Sequence, residues 1–171
     1  MLIIDLRRLD DAPVEVEGEI ASDDPQWANT GLELVSPLVA RATAEGSTTR
    51  GVWVRGSLKG HVRAACRRCL EPLELEVGDE FAILFDPKTS EAEGDLTLYG
   101  LDPKAEELDL RTPLRERMLL AVPEYPLCRD GCRGLCARCG ANLNEGDCSC
   151  EPAGTDPRWG PLQALRNETR R

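Results

Sequence analysis

Eight cysteines, arranged as Cys66-Arg-Arg-Cys69, Cys128-x3-Cys132, Cys136-Ala-Arg-Cys139 and Cys148-Ser-Cys150, constrain this chain more than any other feature. They form four close pairs. A tetrahedral metal held by thiolates takes four sulfurs, usually from two short-spaced pairs on tight turns that the fold brings together. Two ions therefore use every cysteine. Soft thiolate sets select zinc or an iron-sulfur cluster over harder ions, and nothing in the sequence demands redox chemistry, so zinc is the expected metal. Cys136 and Cys139 with Cys148 and Cys150 make one compact set, because residues 140–147 can loop back within reach. Gly140, directly after Cys139, suits the left-handed conformation that turns backbone N–H groups toward a thiolate. By elimination Cys66, Cys69, Cys128 and Cys132 hold the second ion. In the alternative partition, Cys128 and Cys132 join either neighbouring pair.

Met1 is followed by Leu-Ile-Ile-Asp-Leu, an apolar stretch too short for a signal peptide or a membrane span, so a cytoplasmic location with reduced thiols is expected. The formal charge of −10 argues against general adhesion to nucleic acid or anionic membrane. That charge is unevenly placed. Residues 1–127 carry 14 Lys and Arg against 25 Asp and Glu, a net of −11, whereas residues 128–171 carry 7 against 6, a net of +1. A β-rich domain over 1–127, with a zinc-binding segment over 128–171 clamped to it, is the expected organisation.

Regular structure is clearest around the first cysteine pair. Val52, Val54, Leu58, Val62 and Ala64 alternate with Arg55, Ser57, Lys59, His61 and Arg63, a half-buried strand with one basic face. Beyond Leu70 the same two-residue period runs through Leu73, Leu75, Val77, Phe81, Ile83 and Phe85, with Glu74, Glu76 and Glu80 on its polar face. Antiparallel pairing sets the basic face beside the acidic one and puts Cys66 and Cys69 at a hairpin tip. Leu32, Leu34, Leu38, Ala40 and Ala42 predict a preceding strand of a three-stranded meander. Residues 2–6 and 14–20 predict two more, 96–99 a short one, and 88–95 a polar acidic loop. Thr112-Pro113 predicts a helix N-cap, with Leu114, Met118 and Ala121 on one face and Pro123 as the stop. The fold class is α+β: a mostly antiparallel sheet with one main helix and a Cys-rich, zinc-ordered C-terminal segment. Residues 124–155 hold few apolar side chains, chiefly Leu127, Leu135 and Leu143, so metal would serve as their core. At the end, residues 156–161 predict a turn, and Trp159, Leu162 and Leu165 one side of a short helix.

Arg63, Arg67, Arg68, Arg129 and Arg133 converge near one metal if the tail meets the hairpin tip, and Arg138 is interleaved among the tail ligands. These six are the candidate nucleic-acid-binding residues. Glu74, Glu76 and Glu80 work against them, and with aromatics at 4% no stacking platform for bases is visible. Arg67 and Arg68 would also lower a thiol pKa, which makes a thiol redox protein the alternative chemistry, although no thioredoxin-like strand-turn-helix context follows Cys69. His61 is the only histidine and lacks an evident nucleophile partner; a polar strand position facing Glu76 is expected. Trp27, Trp53 and Trp159 are packing residues or partner contacts, with Trp53 on the polar side of its strand.

The motifs Cys66-Arg-Arg-Cys69-Leu70-Glu71-Pro72, Pro126-Leu127-Cys128, Cys132-Arg-Gly-Leu-Cys136-Ala-Arg-Cys139-Gly140-Ala-Asn-Leu-Asn144 and Asp156-Pro157-Arg158 give the chain a resemblance over essentially its full length to the YceD family, named large ribosomal RNA subunit accumulation protein. The resemblance implies a bacterial or plastid factor, non-enzymatic, that supports accumulation, processing or assembly of large-subunit (23S) ribosomal RNA. Its implied partners are that RNA or a large-subunit ribosomal protein, with no membrane and no small-molecule substrate. A zinc-ribbon adaptor for an unrelated protein is a further alternative.

Overall fold

The computed structural model describes residues 2–47, 51–89, 97–151 and 158. In chain order its elements are β1 (Ile3–Asp5), β2 (Val14–Ile20), β3 (Glu33–Leu34), β4 (Leu38–Gly46), β5 (Val52–Ala65), β6 (Pro72–Asp86), β7 (Leu98–Gly100), β8 (Glu107–Asp109) and α1 (Arg111–Ala121), with short 3-10 turns at Leu6–Asp10 and Pro25–Trp27. The fold is α+β: among the described residues, a mostly antiparallel sheet with one α-helix, carrying a Cys-rich segment with two four-cysteine clusters.

The meander is β4, β5 and β6. Val39 pairs with Lys59 at one end of β4, and Val52 with Phe85 at the open end of the long β5–β6 hairpin. Alternation puts Val52, Val54, Leu58 and Val62 on the same inner face as Val77, Phe81, Ile83 and Phe85. β2 adds antiparallel to β4, from Val14 opposite Ala44 to Ile20 opposite Leu38. β7 adds to β6 in parallel, and β3 pairs with β5 where β4 has ended. A separate two-stranded ribbon joins β1 to β8, with Ile4 opposite Leu108. The β8 strand and the parallel join of β7 carry no local signal; both are made by closing long loops.

Helix α1 packs Leu114 and Met118, one turn apart and fully buried, on the inner face. Gly60 makes room for it: a Cβ there would lie 3.2 Å from the Met118 terminal methyl. At Gly56 a Cβ would fall 2.1 Å from the Arg41 carbonyl oxygen, so the β4–β5 approach requires glycine. The predicted Thr112 cap is corrected here, because the helix begins at Arg111, two residues before the expected Pro113. Its N-cap, Leu110, makes no side-chain capping bond, and the Asp109 carboxylate instead accepts the Arg111 N–H at 2.9 Å. The position is set by pairing of β8 with β1, which fixes Asp109 before the first turn. At the other end Val122 is extended, as the residue before a proline tends to be.

The polar face of the hairpin is ion-paired as the alternation predicts. Arg63 bonds Glu74 at 3.6 Å, Lys59 reaches Glu76 at 4.0 Å, and His61 stands opposite Glu76 with Nδ1 3.2 Å from the Ser36 hydroxyl. Trp27 is core, its indole N–H donating to the Ala21 carbonyl. Trp53 is half-buried under the Arg55 guanidinium, 5.2 Å from the ring centroid. The predicted 88–95 loop, 96–99 strand, 156–161 turn and final helix with Trp159, Leu162 and Leu165 lie wholly or partly outside the described residues.

Candidate metal centres

The hairpin tip between β5 and β6 is a tight turn. The Leu70 N–H donates to the Cys66 carbonyl at 2.9 Å, the Cys66 N–H to the Glu71 carbonyl at 2.9 Å, and the Arg68 N–H points at the Cys66 sulfur at 3.5 Å. The segment from Cys136 repeats this pattern. Gly140 donates to the Cys136 carbonyl at 2.9 Å, Cys136 to the Ala141 carbonyl at 2.8 Å, and Arg138 to the Cys136 sulfur at 3.4 Å. Two Cys-x2-Cys turns of one geometry thus recur seventy residues apart in number. Gly140 takes φ +74°, as its place predicts, whereas its counterpart Leu70 takes φ +61°. Holding a leucine there costs about 1–2 kcal/mol.

The sulfurs of Cys66, Cys69, Cys128 and Cys132 all lie within 4.8 Å of one another, and so do those of Cys136, Cys139, Cys148 and Cys150. The structure therefore brings together the two sets obtained by elimination, and Cys128 and Cys132 join the hairpin tip. Within the first set Cys66 lies 3.7 Å from Cys132 and Cys69 3.6 Å from Cys128. Four ligands at about 2.3 Å around one tetrahedral ion have edges of about 3.8 Å, whereas a disulfide requires about 2.0 Å. The spacing fits a single ion. Sulfurs spanning a multi-iron cluster must stand farther apart.

The thiol chemistry points the same way. The Cys66 thiol is pulled down to about 6, chiefly by the Cys69 N–H against the cost of burial, and Cys136 also to about 6, by the Cys139 and Arg138 N–H groups. Their neighbours go the other way. For Cys69 the Glu71 N–H favours the thiolate, but burial and hydrogen bonds shared with the three other thiols push it up to about 12. Cys150 is pushed to about 12 by its contact with Cys139, by burial and by Cys136. Without a cation each set supports only part of its negative charge; a divalent ion lets all four sulfurs ionise together.

The rest of the segment is stitched to the tip. Arg67 N–H donates to the Pro126 carbonyl at 2.9 Å and its Nε to the Glu124 carbonyl at 3.1 Å. Arg68 donates to the Cys132 carbonyl at 2.9 Å, and its own carbonyl accepts Leu135 N–H at 3.0 Å. Gly134, at φ +74°, lies where a Cβ would sit 2.9 Å from that Arg68 oxygen. Leu73, Leu127 and Leu135 pack around buried Cys66, Cys69 and Cys132.

Sequence reasoning missed the asparagines. Asn144, in the loop between Cys139 and Cys148, donates from Nδ2 to the Cys132 sulfur at 3.4 Å, accepts Arg133 N–H at 2.8 Å, and bonds Asn142. Asn142 in turn donates to Glu71 at 3.0 Å. The only local signal was the Asn-Leu-Asn spacing.

Of the six candidate arginines, Arg63 is engaged by Glu33 and Glu74 and Arg133 by Asp147. Arg67 and Arg68 spend guanidinium donors on carbonyls alone, and Arg129 and Arg138 have no side-chain partner among the described residues.

A family model described as Large ribosomal RNA subunit accumulation protein YceD matches residues 54–166, which include the hairpin, the helix and every cysteine. The chain belongs to the YceD family. Among relatives, it is 35% identical over 39% of its length to the chloroplastic large ribosomal RNA subunit accumulation protein YCED homolog 1 of Arabidopsis thaliana, covering 21% of that protein. It is 33% identical over 79% of its length to an uncharacterized protein of Mycobacterium bovis, covering 67% of it. The maize chloroplastic YCED homolog 1 is 27% identical over 79% of this chain and 60% of its own length. No solved structure matches. The YceD family is named for an accumulation factor, not for an enzyme, and no helix among the described residues is long and apolar enough to cross a membrane.

Proposed function

We propose that this YceD family member is a non-enzymatic, zinc-stabilised factor that supports accumulation, processing or assembly of large-subunit (23S) ribosomal RNA in the bacterial cytoplasm. The observation that carries the metal part is the pair of four-sulfur clusters, each compact enough for one ion. Zinc fits best: it is content with four thiolates, has no geometric preference to violate, and contributes folding energy outright. In this reading residues 1–127 form the β-rich domain, and residues 128–171 are ordered by two ions and clamped to it. The first ion ties Cys66 and Cys69 to Cys128 and Cys132, and the second ties Cys136 and Cys139 to Cys148 and Cys150.

The family name supports the ribosomal part. Contact with RNA phosphate falls to Arg67, Arg68, Arg129 and Arg138, because Arg63 and Arg133 are engaged by carboxylates. Elemental analysis of purified protein is expected to return two zinc ions per chain; one iron per cluster with visible absorption would overturn the zinc assignment. Depletion in cells is expected to reduce large subunits or accumulate precursor RNA in sedimentation profiles, and a normal profile would refute the ribosomal role.

A further inference from the structure

Tyr125 is 71% exposed, and the chain that carries it is fixed on both sides by one residue. Arg67 takes the Glu124 carbonyl on its Nε and the Pro126 carbonyl on its backbone N–H. The tyrosine is thus held at a set place on the hairpin tip with its ring in water, while the terminal nitrogens of the Arg67 guanidinium have no partner among the described residues. Elsewhere on this acidic chain arginines are commonly matched to carboxylates: Arg41 to Glu17, Arg55 to Glu45, Arg111 to Asp109 and Arg117 to Asp79. Arg67 and Arg68 differ, with only carbonyl partners for their side chains among the described residues. A second observation singles out the tip: Leu70 is 63% exposed and held in the left-handed region, where its counterpart in the other turn is glycine. The Cys-x2-Cys turn imposes that backbone, and the leucine it carries adds exposed apolar surface at the tip.

We propose that Tyr125 is a stacking platform for an unpaired base of single-stranded RNA, with Arg67 taking the neighbouring phosphate and Leu70 extending the apolar surface. This rests on the ribosomal reading above and names the class of RNA. An exposed aromatic ring on a segment anchored by an arginine offers both parts of single-strand binding, because every base has a face to stack and its backbone a charge to meet. The net charge of −10 repels a polyanion in general, so contact depends on local cations such as Arg67 and Arg68, which no carboxylate matches among the described residues. Sequence alone hid the platform, since aromatic content says nothing about which ring is left bare.

The test is fluorescence anisotropy of the full-length, metal-loaded protein with a labelled, unstructured RNA oligonucleotide and with a duplex RNA of the same length. Tyr125→Ala is expected to weaken single-strand binding by about 5- to 150-fold and to leave the duplex, the metal content and the melting midpoint unchanged. Tyr125→Phe is expected to bind as wild type, and Leu70→Gly to bind more weakly with no loss of melting midpoint. Wild-type affinity in Tyr125→Ala overturns the proposal, as does equal loss for single strand and duplex. So does a result in which Tyr125→Ala releases only a ribosomal protein from nuclease-treated extract, which would make the tip a protein dock. If Arg67→Glu with Arg68→Glu loses ribosomal RNA in cells while Tyr125→Ala keeps it, the platform fails and the accumulation role stands. A normal ribosome profile after depletion, with Tyr125-dependent stacking intact, gives the reverse.

Discussion

Asn144 belongs by sequence to the loop of the second cysteine set, yet its amide bonds a sulfur of the first, 3.4 Å from Cys132. Replacing it with alanine removes three hydrogen bonds at once: that one, the bond accepted from Arg133 N–H at 2.8 Å, and the bond to Asn142 at 2.8 Å. The bond to an ionised sulfur is worth about 1.5–3 kcal/mol and each neutral one about 0.5–1.5 kcal/mol, but water recovers part of this because Asn144 is half-buried. A net loss of about 1.4–2.8 kcal/mol is expected, equal to the 10- to 100-fold that outer hydrogen-bond partners typically contribute to metal affinity. The assay is competition with a chromogenic chelator, following the two ions separately by serine substitution in one set at a time. With the second set disabled by Cys136→Ser and Cys139→Ser, the first centre should already be weakened, because its loop no longer presents Asn144. Adding Asn144→Ala to that background should then change little. Unaltered affinity of the first centre in Asn144→Ala alone would refute the coupling.

Gly134→Ala is expected to cost about 2–3 kcal/mol, combining left-handed strain with the contact against the Arg68 carbonyl, whereas Gly140→Ala, at the same φ but with open space around it, should cost about 1 kcal/mol; urea midpoints of metal-loaded protein rank the two. Met118→Ala should lose about 2–5 kcal/mol from the fully buried inner face, and Leu120→Ala, 62% exposed, within about 0.5 kcal/mol of nothing. Chelator should strip the second centre first, since three of four cysteines in the first set are buried and none in the second; a single phase, or loss of the first centre before the second in the wild-type protein, counts against this. In reduced, metal-free protein Cys66 and Cys136 have folded values near 6, below the usual 9.0, so their stabilisation is complete above pH 9 and vanishes as pH falls through 6. Cys69 and Cys150, near 12, stay neutral across that window, and urea midpoints should therefore fall between pH 9 and 6.

Much of this protein is written in short stretches. The two-residue period of β5 and β6, the ion-paired face between Arg63 and Glu74, the helix stop before Pro123 and the left-handed Gly140 all follow from neighbours along the chain, because backbone geometry and alternation act over a few residues. The cysteine spacings alone indicated two four-sulfur sets, since short pairs on tight turns have few ways to meet. Other features needed the whole fold. That Glu33 from β3 engages Arg63, that β8 pairs with β1 and moves the helix start to Arg111, that Asn144 crosses to the other centre, and that Tyr125 and Leu70 stand bare at the tip depend on segments tens of residues apart. Local pattern tells which side of a strand faces inward, whereas which distant partner fills the facing place is decided by loop closure and packing, and it was those contacts that sorted free arginines from engaged ones.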